Sequence, residues 1–245
     1  MERRCGINIA VIIPFYSPDD TTEALFSRCK ASVDDRFMMF CREDKKHEGV
    51  SVTRNKVLDY VFAQYPDVDY ITFLDADDTL GEDAYDQIVA AINEQPNEGI
   101  IQLNHVREYE DGKTKLRLMS KQGTYTLDRL PNLWVSSVNK VFKADLIRDI
   151  RFKAGLNHGE DELFVLECLA KTRQMYVSSR IALHYHKDNP NSLSTTTSLN
   201  DLIDEQTALM WFAMMHKDDA EILAVIRRRQ AELWSNACYT RVFGA

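Results

Sequence analysis

The chain has 245 residues, and 44% of them are hydrophobic, which is enough to fill the core of one α/β domain with a helical appendage. Its 38 acidic and 30 basic residues give a formal charge of -8, which argues against a surface built as a whole to bind nucleic acid or another polyanion. The five cysteines are widely spaced and include no CxxC pair, so neither a zinc site nor a disulfide framework is predicted.

The N-terminus combines a basic start with a short apolar run, MERRCGINIAVIIPF. The run is shorter than the ~20 apolar residues of a membrane span, and Pro and Asp follow it, so we interpret it as a first strand rather than a signal peptide. No later segment reaches the length and hydrophobicity of a membrane span. We expect a cytoplasmic protein, with peripheral attachment to a membrane as the alternative.

The first 106 residues alternate between strand and helix patterns. A continuous β-branched run such as INIAVII at 7–13 is typical of a strand that is buried on both faces. The predicted elements follow in chain order: strand 7–13, helix 20–34, strand 36–41, helix 50–65, strand 70–74, helix 82–93 and strand 99–106. This βαβα order predicts a mixed, mainly parallel sheet flanked by helices.

After residue 106 the pattern changes. A charged turn (EYEDGKTK), a short strand and the segment WVSSVNKVFKADLI lead to a helix at about 160–171. Two more helices are predicted at about 200–216 and 218–236, the first with Leu209, Phe212 and Met215 on its apolar face. We therefore expect one α/β domain at 1–195 and a C-terminal helical extension at 196–245.

Three carboxylates, Asp75, Asp77 and Asp78, follow the predicted strand at 70–74 in the stretch YITFLDADDTL. They lie where ligands bind in open α/β sheets, outside the carboxyl ends of the strands. A polar loop that caps the next helix is the simpler interpretation, and Asp78 suits that role. The density of carboxylates instead favours a site for a hard cation, Mg²⁺ or Mn²⁺.

Two enzyme classes compete for such a site. Residues 75–79 match the DxDxT signature of haloacid-dehalogenase-like phosphatases, in which Asp75 would be the nucleophile and Asp77 the acid/base. That class carries the signature on its first core strand, whereas a full βαβα unit precedes it here. Lys140 and the pair at 160–161 would then have to supply the remaining phosphatase motifs.

The second class is identified by several segments in a fixed order. They are IAVIIPFYSPDD at 9–20, GVSVTRNKVLDYV at 49–61, FLDADDTL at 73–80, WVSSVNKVFKADLI at 134–147, HGEDELFVLECL at 158–169 and ALHYHKDNPNSLSTT at 182–196. This series resembles the family 2 glycosyltransferases, inverting enzymes with the Rossmann-like GT-A fold. Motifs in the right order are more specific than one short signature, so we favour this class.

The resemblance implies a nucleotide-sugar donor bound mainly by residues 1–106, and an acceptor bound mainly by residues 107–195. Asp77 is the expected ligand of the Mn²⁺ or Mg²⁺ ion, and Lys187 is expected to meet the diphosphate. The loop that follows Lys187, DNPNSLSTTTS, is expected to fold over the donor as a lid. The other residues that the resemblance places at the donor are Pro14, Phe15, Tyr16, Arg54, Asn55, Asp75 and Ala76.

For catalysis the resemblance implies that Asp161 is the general base, with Glu160 and Trp134 on the acceptor side. A helix-start acid stabilised by the helix dipole is the alternative for Asp161. His184 and His186 alternate around Tyr185 and should point to one side of an extended segment. One of them is a candidate metal ligand, and two solvated histidines on a half-buried strand are the alternative.

The sequence departs from the family where its members often have an acidic DDGS, because this chain has FCREDKK. Asp44 or Glu43 could replace that contact with the base, so UDP is the default nucleotide rather than a deduction. We expect a glycan or lipid-linked acceptor, and a hydroxylated DNA base, as in phage-type transferases, as the less favoured choice. The run of arginines at 227–229 would attract a phosphorylated group or form a solvated helix face. A homo-oligomer is compatible with these predictions.

Overall fold

The computed structural model describes residues 6–109, 111–117, 120–132, 134–156, 158–187, 189 and 199–243. Its strands are β1 (Ile9–Phe15), β2 (Met38–Glu43), β3 (Tyr70–Phe73), β4 (Thr79–Leu80), β5 (Ile100–Glu108), β6 (Thr114–Arg117), β7 (Gly123–Thr126), β8 (Lys140–Lys143) and β9 (Gln174–His186). Its α-helices are α1 (Asp20–Ala31), α2 (Val50–Gln64), α3 (Ala84–Glu94), α4 (Glu160–Thr172), α5 (Leu199–Met215) and α6 (Ala220–Phe243).

The strands form one sheet in the order β2, β1, β3, β8, β5, β9, β4, with β6 beside β5 and β7 beside β9. Strand β1 is parallel to β2 and β3, and β5 is parallel to β9. Strand β8 lies antiparallel between β3 and β5, which makes those two parallel to each other. The predicted mixed, mainly parallel sheet flanked by helices is therefore confirmed, and the carboxyl ends of β1, β3, β5 and β9 share one edge.

Helices cover both faces of this sheet. Strand β1 is buried from Ile9 to Pro14, because its alternate side chains enter two different cores. Ala10 and Ile12 pack with α2 and α4 on one face. Val11 and Ile13 pack with α1 and α3 on the other face. The continuous apolar run at 7–13 is thus explained by burial on both sides.

The C-terminal helices share a core with β1, α2 and α4. Leu209 and Phe212 of α5, together with Ile222 and Val225 of α6, belong to the same buried cluster as α4. Met215 is exposed, so its predicted place on the apolar face is wrong. The stripe runs instead from 209 through 212 to His216, which stacks on Phe212. Within the described part of the chain, no helix combines the length and apolar character that crossing a bilayer requires.

Candidate active site

Arg54 of α2 joins three distant segments of the chain. Its side chain is 3% exposed, and Nη2 donates to Asp75 Oδ1 at 2.8 Å. Nη1 donates to Asp161 Oδ1 at 2.7 Å and lies 3.4 Å from Glu160 Oε1. The end of β3, the buried face of α2 and the first turn of α4 therefore meet at one guanidinium, and we call these four residues the Arg54 cluster.

Phe152 supports the guanidinium from below, with its ring centroid 5.0 Å from the Arg54 Cζ atom. The next residue, Asn55, holds Phe152 in place. Its Nδ2 donates to the Phe152 carbonyl at 2.8 Å, and its Oδ1 accepts from the Phe152 N–H at 2.8 Å. Arg54 therefore meets the predicted site residues directly, whereas Asn55 acts on the backbone that supports Arg54.

Two carboxyl groups of the Arg54 cluster have pKa values near neutrality. Partial burial raises the pKa of Asp75 to about 6, against the attraction of Arg54 and with repulsion from Asp77 and Asp161. Burial and the neighbouring Asp161 raise the pKa of Glu160 to about 7. Although burial disfavours its charge, the surrounding carboxylates raise the pKa of Arg54 above its ordinary value. One arginine thus serves three acids, and the pKa values of Asp75 and Glu160 are raised towards neutrality.

Asp161 is held by two segments and still reaches solvent. Its Oδ1 accepts from Arg54 and from Ser137 Oγ at 2.9 Å, while its Oδ2 accepts from the Ser137 N–H at 3.2 Å. The Asp161 side chain is 24% exposed. Ser137 is fully buried in the loop before β8. Sequence reasoning missed Ser137, since a serine inside WVSSVNK carries no signal until the fold brings it to Asp161.

Lys140 orders the loop that carries Ser137. It is fully buried at the start of β8, and its Nζ donates to the Ser136 carbonyl and, at 3.0 Å, to Asn139 Oδ1. Burial lowers the pKa of Lys140 to about 7, although Asp161 opposes the shift. Asn139 and Lys140 therefore lie beneath the Asp161 contact. Trp134, predicted on the acceptor side, is almost completely buried in the core beside α4.

The two remaining carboxylates of the cluster at 75–78 have different surroundings. Asp77 is partly exposed, and its Oδ2 accepts from Asn189 Nδ2 at 2.7 Å. Asp78 is buried, and its Oδ1 accepts from the His186 N–H at 2.9 Å. Asp78 thus fastens the loop to β9 and does not cap α3, whose first turn begins after Asp83. Burial next to Asp75 and Asp77 raises the pKa of Asp78 well above its ordinary value.

The histidines of β9 both face Glu108 of β5. His184 Nδ1 lies 2.6 Å from Glu108 Oε1, and His186 Nδ1 lies 3.5 Å from Glu108 Oε2. His186 Nε2 also lies 2.8 Å from Thr79 Oγ1. The expected same-side orientation is therefore present, and these contacts leave the assignment of either histidine as a metal ligand a prediction.

Asp75 and Asp77 are compatible with an open site for a hard divalent cation. Among the residues that the structure describes, no three His, Cys, Asp or Glu side chains are grouped to cage a metal ion. Mg²⁺ does not require such a cage, because proteins commonly hold it through one or two carboxylates while substrate phosphates and water complete its shell. The partly exposed Asp77, two residues from Asp75 at the end of β3, suits that open arrangement.

The residues predicted to contact the base lie together beyond β1. Phe15 stacks on Phe26 with centroids 3.8 Å apart, and Tyr16 Oη lies 3.2 Å from His47 Nε2. The two oxygens of Asp44 accept from the N–H groups at 48 and 49, at 2.9 and 2.8 Å. Asp44 therefore shapes the turn that leads into α2. Contact of these residues with a base stays a prediction.

Lys187 lies at the end of β9, on the side of the sheet away from the two histidines. Its Nζ donates to Tyr185 Oη at 3.3 Å and lies 4.8 Å from the centre of that ring. Of the predicted lid at 188–198, the structure describes only Asn189, and residues 188 and 190–198 lie outside the described part of the chain. Asn189 Nδ2 donates to Asp77, the predicted metal ligand.

Comparisons with solved structures find proteins of the same fold. The crystal structure of S. aureus TarS 1-349 superposes with a TM-score of 0.67 and 17% identity, covering 98% of this chain and 76% of that one. The complex of TarS 1-349 with UDP-GlcNAc superposes with a TM-score of 0.65 and 15% identity, covering 84% of this chain and 67% of that one. A longer TarS structure superposes with a TM-score of 0.63 and 17% identity. This chain covers only 43% of that longer structure. Likeness at such identity shows a shared fold.

No curated protein matches the sequence. The family model described as glycosyl transferase family 2 matches residues 11–150, which is more than half of the chain. The matched segment includes most of β1, Arg54 and all three carboxylates at the end of β3. The chain therefore belongs to glycosyl transferase family 2 and is a glycosyltransferase with the GT-A fold.

Proposed function

We propose that the protein is an inverting transferase that moves a sugar from a UDP-sugar to an acceptor hydroxyl. The observation that carries this proposal is the Arg54 cluster, in which one buried guanidinium holds both the donor-side Asp75 and the base candidate Asp161. These residues are 21 and 107 positions from Arg54 in the chain. Their convergence at the carboxyl edge of the sheet supports one site for donor and base.

The donor half of the proposal rests on fold and position. TarS, which shares the fold, has been crystallised with UDP-GlcNAc and with UDP. In this chain, Tyr16 and Asp44 follow β1 and β2 at the same edge of the sheet as Asp75. We infer that the uracil ring binds near Tyr16, and that Asp75 with Ala76 faces the ribose and diphosphate.

Asp161 acts as the base in this proposal. The acceptor hydroxyl attacks the anomeric carbon on the face opposite the diphosphate, so the new C–O bond forms as the old one breaks and the configuration inverts. The hydroxyl proton passes to Asp161, whose Oδ2 accepts one long hydrogen bond and has room for a second. Arg54 and Ser137 keep the carboxylate oriented during the transfer.

Asp77 would hold Mn²⁺ or Mg²⁺ in this proposal, with His184 or His186 as an additional ligand candidate. A bound divalent ion neutralises charge that develops on a departing diphosphate. The contact between Asn189 and Asp77 supports closure of the lid over that position. Lys187, on the same segment, is our candidate for a further contact with the diphosphate.

The acceptor is a glycan or a lipid-linked glycan in this proposal, and a hydroxylated DNA base is the less favoured choice. Family membership leaves the phosphatase interpretation of residues 75–79 without support. The position of Asp75 agrees with that, since its Oδ1 already accepts a hydrogen bond from the buried Arg54 guanidinium at 2.8 Å.

The test is a panel of nucleotide-sugars, each with Mn²⁺ and with Mg²⁺, scored for thermal stabilisation and for slow donor hydrolysis. We expect one donor to stabilise wild type and Asp161→Asn equally, while hydrolysis falls about 10³-fold in the variant. Asp145→Asn, an exposed aspartate far from the cluster, is the matched control. Hydrolysis of a generic phosphate monoester that disappears in Asp75→Asn would instead support the phosphatase.

A further inference from the structure

The hairpin made by β5 and β6 rises above the active-site edge of the sheet. Since β5 is parallel to β3, the residues after Glu108 continue beyond the edge at which β3 ends. Between this hairpin and the end of β9 lies a groove of about 600 Å³, which we call the hairpin groove. Its lining residues are Tyr109, Asp111, Lys113, Thr114, Lys115 and Lys187.

Strand pairing collects cations on one face of this part of the sheet. Arg107 is directly opposite Lys115 on β6 and directly opposite Tyr185 on β9. Residues opposite each other on paired strands point to the same side. The Arg107 guanidinium accordingly lies 5.7 Å from the centre of the Tyr185 ring, and Lys187 lies on that ring as well. Glu108 and both histidines of β9 occupy the other face.

The charge of the hairpin groove is opposite to that of the whole chain. Three lysines line it against one acid, Asp111, which is paired with Lys113. The Lys113 side chain remains 80% exposed despite that pair. In a chain of formal charge -8, this local excess of positive charge favours an anionic ligand. The rings of Tyr109 and Tyr185 add flat apolar faces beside the ammonium groups.

The hairpin groove adjoins the predicted reaction centre. Lys187 precedes Asn189 by two residues, and the Asn189 side chain donates to Asp77 at 2.7 Å. Two residues span at most about 7 Å of extended chain. A ligand in the groove would therefore lie close to Asp77, the predicted metal ligand.

We propose that the hairpin groove binds the acceptor, and that the acceptor is an anionic glycan whose sugar units carry carboxylate or phosphate groups. This inference rests on the proposed function, because it names the acceptor class of the same site. Lys113 and Lys115 pair with the anionic groups, while the tyrosine rings contact the sugar faces. The flexible lysine stems allow the groove to follow a chain of repeated charges.

The experiment compares three labelled oligosaccharides by fluorescence anisotropy: oligogalacturonate, a phosphorylated mannopentaose and neutral maltopentaose. We expect at least one anionic probe to bind tenfold or more tightly than maltopentaose, and to weaken as NaCl rises from 50 to 200 mM. The double variant Lys113→Ser/Lys115→Ser should lose about tenfold in that affinity and much of the salt dependence. The two anionic probes separate carboxylate from phosphate recognition.

Lys217→Ser/Arg227→Ser removes two exposed cations, one in the turn between α5 and α6 and one on α6, and is the matched control, expected to bind like wild type. UDP affinity is measured on every variant. Equal binding of charged and neutral probes, or unchanged affinity in the hairpin variant, would overturn the inference. So would loss of UDP affinity in that variant, because the groove would then belong to the donor. Failure of donor hydrolysis with anionic binding intact would count against the proposed function alone.

Discussion

Two arginine-centred clusters lie on opposite sides of the same helical turn, and they differ in their access to solvent. Asp161 belongs to the Arg54 cluster, and the next residue, Glu162, belongs to a second cluster around Arg229 of α6. Arg229 Nε donates to Glu162 Oε1 at 2.9 Å, and Nη2 donates to Glu205 Oε1 of α5 at 2.9 Å. We call Arg229, Glu162 and Glu205 the Arg229 cluster.

The difference between the clusters is one of exposure. In the Arg54 cluster, the Asp75 and Asp161 side chains are 38% and 24% exposed. In the Arg229 cluster, Glu162 is 3% and Glu205 15% exposed. Carboxylates that reach solvent can meet a substrate, whereas the closed cluster serves to fasten α5 and α6 behind the first turn of α4. A buried ion pair adds little net stability but is costly to break.

A glycine makes the close approach of α5 possible. Gly159 precedes α4 with φ of 84°, a left-handed conformation that suits glycine. A Cβ there would lie 3.2 Å from Glu205 Cγ. The arginine run at 227–229 is explained in part by contacts of α6 with the rest of the chain. Arg228 donates to the carbonyls of 127 and 128 at 2.6 and 2.7 Å. Two of the three arginines therefore bind the protein itself.

The largest effect is expected from Arg54→Met, which leaves three carboxylates without their shared cation. Breaking a buried ionic contact of this kind costs about 3–5 kcal/mol in the free energy of unfolding. Donor hydrolysis should fall about 10³-fold, because Asp161 and Asp75 lose their orientation. Urea denaturation and the hydrolysis assay check both. Arg148→Met, which removes an exposed pair with Asp145, is the control, and equal losses in the two variants would contradict the special role of Arg54.

Arg229→Met breaks the closed cluster and should mainly affect stability. We expect a loss of about 2–3 kcal/mol in the free energy of unfolding, with UDP affinity unchanged and kcat lowered less than tenfold. Arg228→Met is the control on the same helix, because it removes bonds to carbonyls and leaves Glu162 untouched. If Arg229→Met instead abolished turnover at full stability, the two clusters would not differ in the way described.

Ser137→Ala tests how strongly the orientation of Asp161 in the Arg54 cluster affects activity. The variant removes the Oγ bond to Asp161 Oδ1 and keeps the backbone N–H bond to Oδ2. We expect about a tenfold fall in kcat, unchanged donor affinity, and a loss of about 1 kcal/mol in the free energy of unfolding. Ser136→Ala is the neighbouring control, since Ser136 offers its backbone carbonyl to Lys140. A change in KM without a change in kcat would argue against orientation of the base.

The effect expected from Glu162→Gln is a change in the pH dependence of stability. Burial raises the pKa of Glu162 to about 8 from an ordinary 4.5, against the attraction of Arg229. The native state therefore keeps a proton that the unfolded chain releases, so the free energy of unfolding falls as pH rises from about 4.5 to about 8. The variant should flatten this decline by about 1–2 kcal/mol. Urea denaturation at pH 5, 6.5 and 8 measures the free energy of unfolding of both proteins. If it changed with pH in parallel for wild type and variant, the raised pKa of Glu162 would be contradicted.

Much of the structure of residues 1–106 could be predicted from local sequence patterns. The strand at 7–13 corresponds to β1, and the carboxylates at 75–78 do follow a central strand, as the switch from an apolar run to three acids indicates. Helix ends shifted by a few residues, since α1 stops at Ala31 rather than 34 and α3 starts at Ala84 rather than 82. The capping box of Asp19 and Thr22 fixes the start of α1 locally.

The sequence by itself determined the strand and helix order and the position of the carboxylates, because periodicity and turn chemistry act over a few neighbouring residues. Only the tertiary structure decided which acids share Arg54, which share Arg229, and that Ser137 supports Asp161. Those partners are 21 to 107 residues apart in the chain, so no local pattern records them. Packing α2, α4 and α6 around one sheet brings these side chains within hydrogen-bond distance, and burial then sets their charge.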